Sequence, residues 1–170
     1  MNDAVDLFLA QWARERPDLD TSPMGVVGRT NRLQQILGRG VSELLTEYDL
    51  ERWEFDVLAT LRRSGAPYQL TAKELVRMMM VGSAAMTNRV DRLVRRELVQ
   101  RQADPASRRR VLVSLTGGGL DLVNRVVEGH VANEARLLEG LDTAERDQLA
   151  ALMRKLLLSL GDTAPEEPRA

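Results

Sequence analysis

The sequence predicts a mainly α-helical chain that carries one small β-hairpin. Apolar residues recur at the i, i+3, i+4 and i+7 spacing of amphipathic helices in several segments. Two short β-type runs, residues 98–102 and 111–115, flank a loop over residues 103–110 with an Asp104-Pro105 turn signal. The 170 residues show no repeat and are enough for one domain with a real core.

Longer helices are predicted on both sides of the central region. Before it they cover residues 2–16, 24–47 and 50–63, and after it residues 117–138 and a last segment that ends at residue 160. The glycines of the second helix are expected to permit close approach of another helix, or a kink. The polar residues 161–170 are expected to form a disordered tail.

Asp56 lies in the middle of the third helix, whose apolar residues run nearly all round it. Such a helix is expected to be buried on more than one side. A buried carboxylate without a partner is strongly unfavourable. We therefore expect Asp56 to be buried and paired with a cation, and Asp49 to cap the helix.

Two short helices are predicted directly before the hairpin. Thr71 and Glu74 have the spacing of a capping box and open the first helix. Ser83 follows a glycine and can cap the second helix, over residues 83–96. With the hairpin, this order predicts a winged helix-turn-helix over residues 49–116.

The second short helix has two different faces. Met86, Val90 and Leu93 fall on one side, as in a buried stripe. The opposite side offers small, hydroxyl, amide and basic groups, which suit the major groove of DNA. The residues of this helix that we expect to contact DNA are Ser83, Ala84, Thr87, Asn88, Asp91 and Arg95.

Basic charge is concentrated in the same region. Residues 86–110 contain eight arginines and three acidic residues, in a chain whose formal net charge is -1. A local basic surface of this kind is typical of nucleic-acid binding. Three of these arginines lie together in the predicted hairpin loop, and we expect all three to contact DNA: Arg108, Arg109 and Arg110.

Residues 45–160 resemble the MarR family of winged-helix regulators. The matching residues are the runs 87–93, 98–101, 104–105, 108–109 and 111–116, the last leading into Gly119. The resemblance implies a homodimeric regulator, most often a repressor. Its second short helix would enter the major groove, and Arg109 would enter the minor groove. The chain departs from the family at Ser107, where an Asp is common.

Four residues match, one by one, a urate-responsive branch of that family: Trp12, Asp56, Arg89 and Arg101. That branch also carries an extra N-terminal helix. The match implies a site for a small anionic effector, with Asp56 paired to Arg89 or Arg101 when no ligand is present. A branch that binds citrate-like acids remains open, and so does a packing cluster without a ligand.

The first and last helices carry broad apolar faces. They can form an intramolecular core, or they can intertwine between two copies of the chain. Two-fold symmetry would let a helix-turn-helix protein read a palindromic operator in double-stranded DNA. We therefore expect residues 2–48 and 117–160 to form a dimerisation region.

The composition weighs against several other functions. There is no cysteine, which excludes disulfides, zinc fingers and thiol redox sensing. His130 is the single histidine, and no metal site, cofactor or catalytic triad is indicated, so an enzyme has no support. No signal peptide or membrane span is visible, and we expect a cytoplasmic, nucleoid-associated protein. The rival interpretations are a constitutive DNA-binding protein without an effector and a winged-helix module that does not bind DNA.

Overall fold

A computed structural model describes residues 1–79, 82–105 and 107–163, without the side chains of residues 108 and 109. Of the predicted tail, residues 164–170 lie outside the described residues. The helices in the described part are α1 (Ala4–Glu15), α2 (Ser22–Glu47), α3 (Arg52–Arg63), α4 (Ala72–Met79), α5 (Ser83–Arg95), α6 (Gly117–Leu137) and α7 (Thr143–Ser159). The strands are β1 (Gln69–Thr71), β2 (Val99–Asp104) and β3 (Ser107–Leu115). The mainly helical prediction is confirmed.

The β element is larger than predicted. It is a three-stranded antiparallel sheet in the order β1-β3-β2, and β1 pairs its three residues with Leu112, Val113 and Ser114. β1 is too short to show a period, so it was not predictable from the sequence. β3 begins at Ser107, so the predicted loop over residues 103–110 was wrong and the three arginines lie on the strand. An irregular register beside Ala103 accommodates this longer hairpin.

The chain divides into two compact units, Met1–Glu43 and Leu44–Ala170. In the first unit, α1 is capped by Asp3, which accepts hydrogen bonds from the backbone N–H groups of Val5 and Asp6 at 2.8 and 2.9 Å. Val5 is buried, and a Cβ at Gly28 would lie 3.3 Å from its side chain. The expectation that a glycine of α2 permits a close helix approach is therefore confirmed.

The core of the second unit lies between α3, α4, α5, α6 and the sheet. The predicted stripe of α5 is confirmed, because Met86, Val90 and Leu93 are all buried. α6 starts close to the hairpin of β2 and β3, which we call the wing. A Cβ at Gly119 would lie 1.9 Å from the carbonyl oxygen of Leu98. Only glycine therefore fits this contact between α6 and the segment before β2.

Two expectations about α3 were wrong. The helix begins at Arg52 and its N-cap is Glu51, whereas Asp49 precedes it with a φ of 53°. Asp56 is exposed, and the buried carboxylate belongs to Glu54, which is 1% exposed. The apolar residues pack on the Glu54 side of the helix, so Asp56 falls on the outer side.

α7 differs from the helices of the core. Its predicted capping box is confirmed, because Asp142 and Glu145 exchange hydrogen bonds between side chain and backbone at 2.9 Å. None of its residues is buried, and most of its large apolar side chains are exposed. Among the described residues, no helix is both long enough and apolar enough to cross a bilayer.

Candidate nucleic-acid interface

The turn between α4 and α5 sets how α5 is presented. The predicted capping box at the start of α4 is confirmed: Thr71 N donates to the Glu74 carboxylate at 2.7 Å, and Glu74 N donates to Thr71 Oγ1 at 3.2 Å. At α5 the cap is Gly82, whose carbonyl accepts from Met86 N at 3.0 Å. Ser83 is the first residue of α5, so its predicted capping role was wrong.

The outward face of α5 has the exposure that the sequence predicted. Ser83, Ala84, Thr87, Asn88 and Arg95 are exposed. Thr87 Oγ1 donates back to the carbonyl of Ser83 at 3.1 Å. The amide of Asn88 and the guanidinium of Arg95 are the longer polar groups on this exposed face. Groups of these types can reach base edges and phosphates.

Asp91 is engaged on this face rather than free. Its Oδ1 accepts a hydrogen bond of 2.5 Å from Arg101 Nη1 on β2, and Arg101 Nη2 donates to the carbonyl of Thr87 at 3.2 Å. One arginine therefore joins the first strand of the wing to the middle of α5. Such a link holds β2 and α5 together.

The wing carries the remaining predicted contacts. Arg110 is two-thirds exposed, and its Nη1 lies 3.9 Å from the carboxylate of Asp104. The side chains of Arg108 and Arg109 lie outside what the structure describes, so their predicted contacts remain predictions.

A charged aromatic cluster joins α5 to α3. The guanidinium carbons of Arg89 and Arg92 lie 5.8 and 4.7 Å from the ring centroid of Trp53. The Trp53 indole N–H donates to Glu51 Oε2 at 2.6 Å, and Arg92 Nη2 donates to Glu51 Oε1 at 2.6 Å. Sequence reasoning missed this cluster, because Glu51 and Arg92 are far apart in the chain.

A second ion pair joins the end of α5 to α3. Arg96 Nη1 lies 2.7 Å from the buried Glu54 carboxylate, and Arg96 Nη2 lies 2.9 Å from the exposed Asp49 carboxylate. The same oxygen of Glu54 accepts from the backbone N–H of Glu51 at 3.0 Å. These bonds to Oε2 compensate in part for burying the charge of Glu54, whose Oε1 has no hydrogen-bond partner among the described residues.

The predicted effector residues are divided between the two units. Trp12 lies on α1 in the first unit, 44% exposed, beside a largely apolar cavity of about 420 Å³ whose walls include Phe8, Met24 and Val27. The other three lie in the second unit, Asp56 on α3, Arg89 on α5 and Arg101 on β2.

The predicted pairing of Asp56 was wrong. Among the described residues Asp56 forms no ion pair with Arg89 or Arg101, because Arg101 binds Asp91 and Arg89 faces Trp53. Partial desolvation of the Asp56 carboxyl by neighbouring protein atoms raises its pKa above the ordinary value of 3.8. The positive charges of Arg52 and Arg89 oppose this rise in pKa.

A second cavity, of about 250 Å³, lies behind α5. Apolar side chains such as Met86, Val90 and Val113 line it, together with the cationic side chains of Lys73 and Arg101. An apolar cavity with two cations at its wall suits a flat acid.

The described residues contain no group of three or more His, Cys, Asp or Glu that could hold a metal ion. His130 lies on α6 with its ring 4.7 Å from that of Phe55 and its Nε2 3.2 Å from the carboxylate of Glu134. This is a packing position on a helix rather than a site with several converging polar groups.

A helix pair whose second member exposes polar groups, joined through an arginine to a basic hairpin, defines a winged helix-turn-helix DNA-binding protein. The model of the MarR family matches residues 48–110. The regulator PecS of Dickeya dadantii is 40% identical over 89% of this chain and 92% of its own length. The chain belongs to the MarR family.

Solved structures agree with this assignment. A mutant of MarR from E. coli complexed with operator DNA has a TM-score of 0.71 and 26% identity, covering 86% of this chain and 97% of that one. BpsR of Bordetella bronchiseptica, whose structure concerns regulation of its DNA binding by 6-hydroxynicotinic acid, has a TM-score of 0.68 and 29% identity, covering 77% and 91%. These relatives are regulators that act on DNA rather than enzymes.

Proposed function

We propose that this chain is a ligand-responsive, sequence-specific repressor that binds a palindromic operator as a homodimer. The observation that carries the proposal is the exposed face of α5, held to the wing by Arg101. Asn88 and Arg95 would contact the major groove, and the arginines of the wing would contact the minor groove and phosphates. Such a regulator would act on the nucleoid, in the cytoplasm.

Dimerisation is supported by apolar surface within each unit. In the first unit Phe8, Trp12 and Val27 are exposed, and in the second unit the α7 residues Leu152, Leu156 and Leu157 are exposed. Exposed apolar surface of this extent marks a protein interface. A second copy of the chain is the occupant we propose, because two-fold symmetry matches two half-sites of a palindrome.

The proposed effector is a small anion such as urate. Its support is the residue-by-residue match of Trp12, Asp56, Arg89 and Arg101 to the urate-responsive branch, together with the apolar cavity beside Trp12. An aromatic or citrate-like acid is the second candidate. The cavity behind α5 favours an aromatic acid, because Lys73 and Arg101 could bind its carboxylate.

The proposal is tested by footprinting the protein on the DNA upstream of its own gene. We expect a short protected palindrome, which urate or an aromatic acid weakens. Protection without a palindrome and without response to urate, citrate or 6-hydroxynicotinate would favour a constitutive DNA-binding protein. Fluorescence of Trp12, read in a Trp53→Phe background, should saturate with the effective ligand and stay constant with the others.

Dimerisation has its own test in sedimentation equilibrium. The full chain should sediment as a dimer, and a chain lacking residues 143–160 should aggregate or unfold. A truncated chain that is monomeric, folded and still able to bind a half-site tightly would contradict the proposed interface.

A further inference from the structure

Trp53 lies against two arginines of α5. Its ring centroid is 4.7 Å from the guanidinium carbon of Arg92 and 5.8 Å from that of Arg89. Its indole N–H donates to Glu51 at 2.6 Å. The tryptophan therefore orients both partners of the ion pair between Arg92 and Glu51.

Arg92 is placed at the edge of the outward face of α5. One residue corresponds to 100° of helical turn, so Arg92 is displaced by that angle from its neighbour Asp91 toward α3. Its side chain is 49% exposed. Arginines at the flank of a helix in the major groove are placed to meet the phosphates that border the groove.

Glu51 holds Arg92 in the way that a phosphate would. Its Oε1 accepts from Arg92 Nη2 at 2.6 Å, and guanidinium groups bind carboxylates and phosphates with the same planar donors. The hydrogen bond from Arg92, and then that from Trp53, hold the pKa of Glu51 below its ordinary value, so the carboxylate is charged at neutral pH.

The pair is well suited to exchange because it is open to solvent. The side chains of Arg92 and Glu51 are 49% and 55% exposed, and exposed ion pairs are weak and screened by salt. Arg96 differs, since the side chain of its main partner, Glu54, is buried. Breaking that pair would leave a buried charge, so Arg96 stays in place.

We propose that Arg92 is a further DNA-contacting residue, which exchanges Glu51 for a backbone phosphate when α5 enters the major groove. Glu51 is then an internal competitor of DNA that lowers affinity without altering the reading face. Trp53 is a positioning residue that keeps the guanidinium of Arg92 in place during the exchange. The inference rests on the proposed function, in which α5 reads DNA.

The test is a salt titration of DNA binding by fluorescence anisotropy. The wild type and its variants are compared on the duplex protected in the footprint and on a random duplex of equal length. Arg92→Gln should weaken binding to both and reduce the slope of log affinity against log salt by about 0.9. Glu51→Gln should tighten binding to both by about two- to fivefold, because the competing pair is lost.

Two controls separate exchange from general effects of charge. Asp49→Asn removes another exposed acid near α5, which is more exposed than Glu51, but leaves Arg96 bound to Glu54, so it should tighten binding much less. In an Arg92→Gln background, Glu51→Gln should bring no further gain. Trp53→Phe should keep the wild-type slope of log affinity against log salt, whereas Trp53→Leu should reduce this slope as Arg92→Gln does. Thermal unfolding should confirm that each variant is folded.

An unchanged slope in Arg92→Gln, or an equal gain from Glu51→Gln with and without Arg92, would overturn this inference. Either result can occur while the wild type still prefers the protected duplex, which leaves the proposed function intact. A wild type that binds both duplexes equally would overturn the proposed function and, with it, the basis of the exchange.

Discussion

Arg101 and Asp91 form an ion pair of 2.5 Å that fastens the first strand of the wing to the centre of α5. The second hydrogen bond of Arg101, to the Thr87 carbonyl, fixes its direction. Because the pair joins β2 to α5, a change in the position of one element should alter the position of the other.

The first prediction concerns this link. Asp91→Asn and Arg101→Met should each destabilise the fold modestly, and the double variant should lose less than the sum. The coupling should be roughly 0.5–1 kcal/mol, since the pair is partly exposed. Urea unfolding of the four proteins of this cycle measures it. Strict additivity would show that the two side chains do not interact in solution.

The second prediction concerns the buried carboxylate of Glu54. Arg96→Met removes its cation, and an unpaired charge 1% exposed should then destabilise the protein by roughly 3–5 kcal/mol. Arg92→Met is the matched control, because its partner Glu51 is exposed, and it should have a far smaller effect. Thermal unfolding of the two variants gives the comparison. Equal losses would mean that Glu54 is not buried as described.

The third prediction concerns the start of α6. Gly119→Ala would place a Cβ 1.9 Å from the Leu98 carbonyl oxygen, and the forced shift of backbone should cost about 1–3 kcal/mol or more. Gly118→Ala, one residue earlier, meets its nearest neighbour, Thr116 Oγ1, at 3.9 Å and should be neutral or slightly stabilising. Denaturation midpoints of both variants test the contrast. A tolerated alanine at residue 119 would contradict the close approach.

The fourth prediction concerns pH. The pKa of Asp56 is raised in the folded state, so the folded protein binds this proton more tightly than the unfolded chain does. The resulting stabilisation is fully present below about pH 3.8 and is lost as the pH rises through the higher folded-state pKa. Asp56→Asn should therefore raise the unfolding temperature at pH 7, and the gain should shrink as the pH falls toward 3.8. Calorimetry of both proteins between pH 4 and 7 follows the difference. A gain independent of pH would mean that the charge of Asp56 is not responsible.

The stripe of Met86, Val90 and Leu93 was predictable, because a helical period of apolar residues directly reports a buried face. Which carboxylate of α3 is buried, that of Glu54 or that of Asp56, was not predictable. The apolar residues of α3 run almost all round the helix in the sequence and leave its orientation undetermined. The ion pairs and hydrogen bonds between α3 and α5 were also not predictable from the sequence. Glu51 and Arg92 meet only when the chain folds, and no local period joins them.

We propose that α5 reads bases while the wing binds DNA without regard to sequence. The most direct measurement is the affinity of Asn88→Ala and Arg109→Ala for the operator duplex and for random DNA over a range of salt. Asn88→Ala should lose about 1–3 kcal/mol on the operator and little on random DNA. Arg109→Ala should weaken both and lower the salt slope by about one. Equal losses on both duplexes for Asn88→Ala, or none on the operator, would contradict the assignment of α5 as the reading helix.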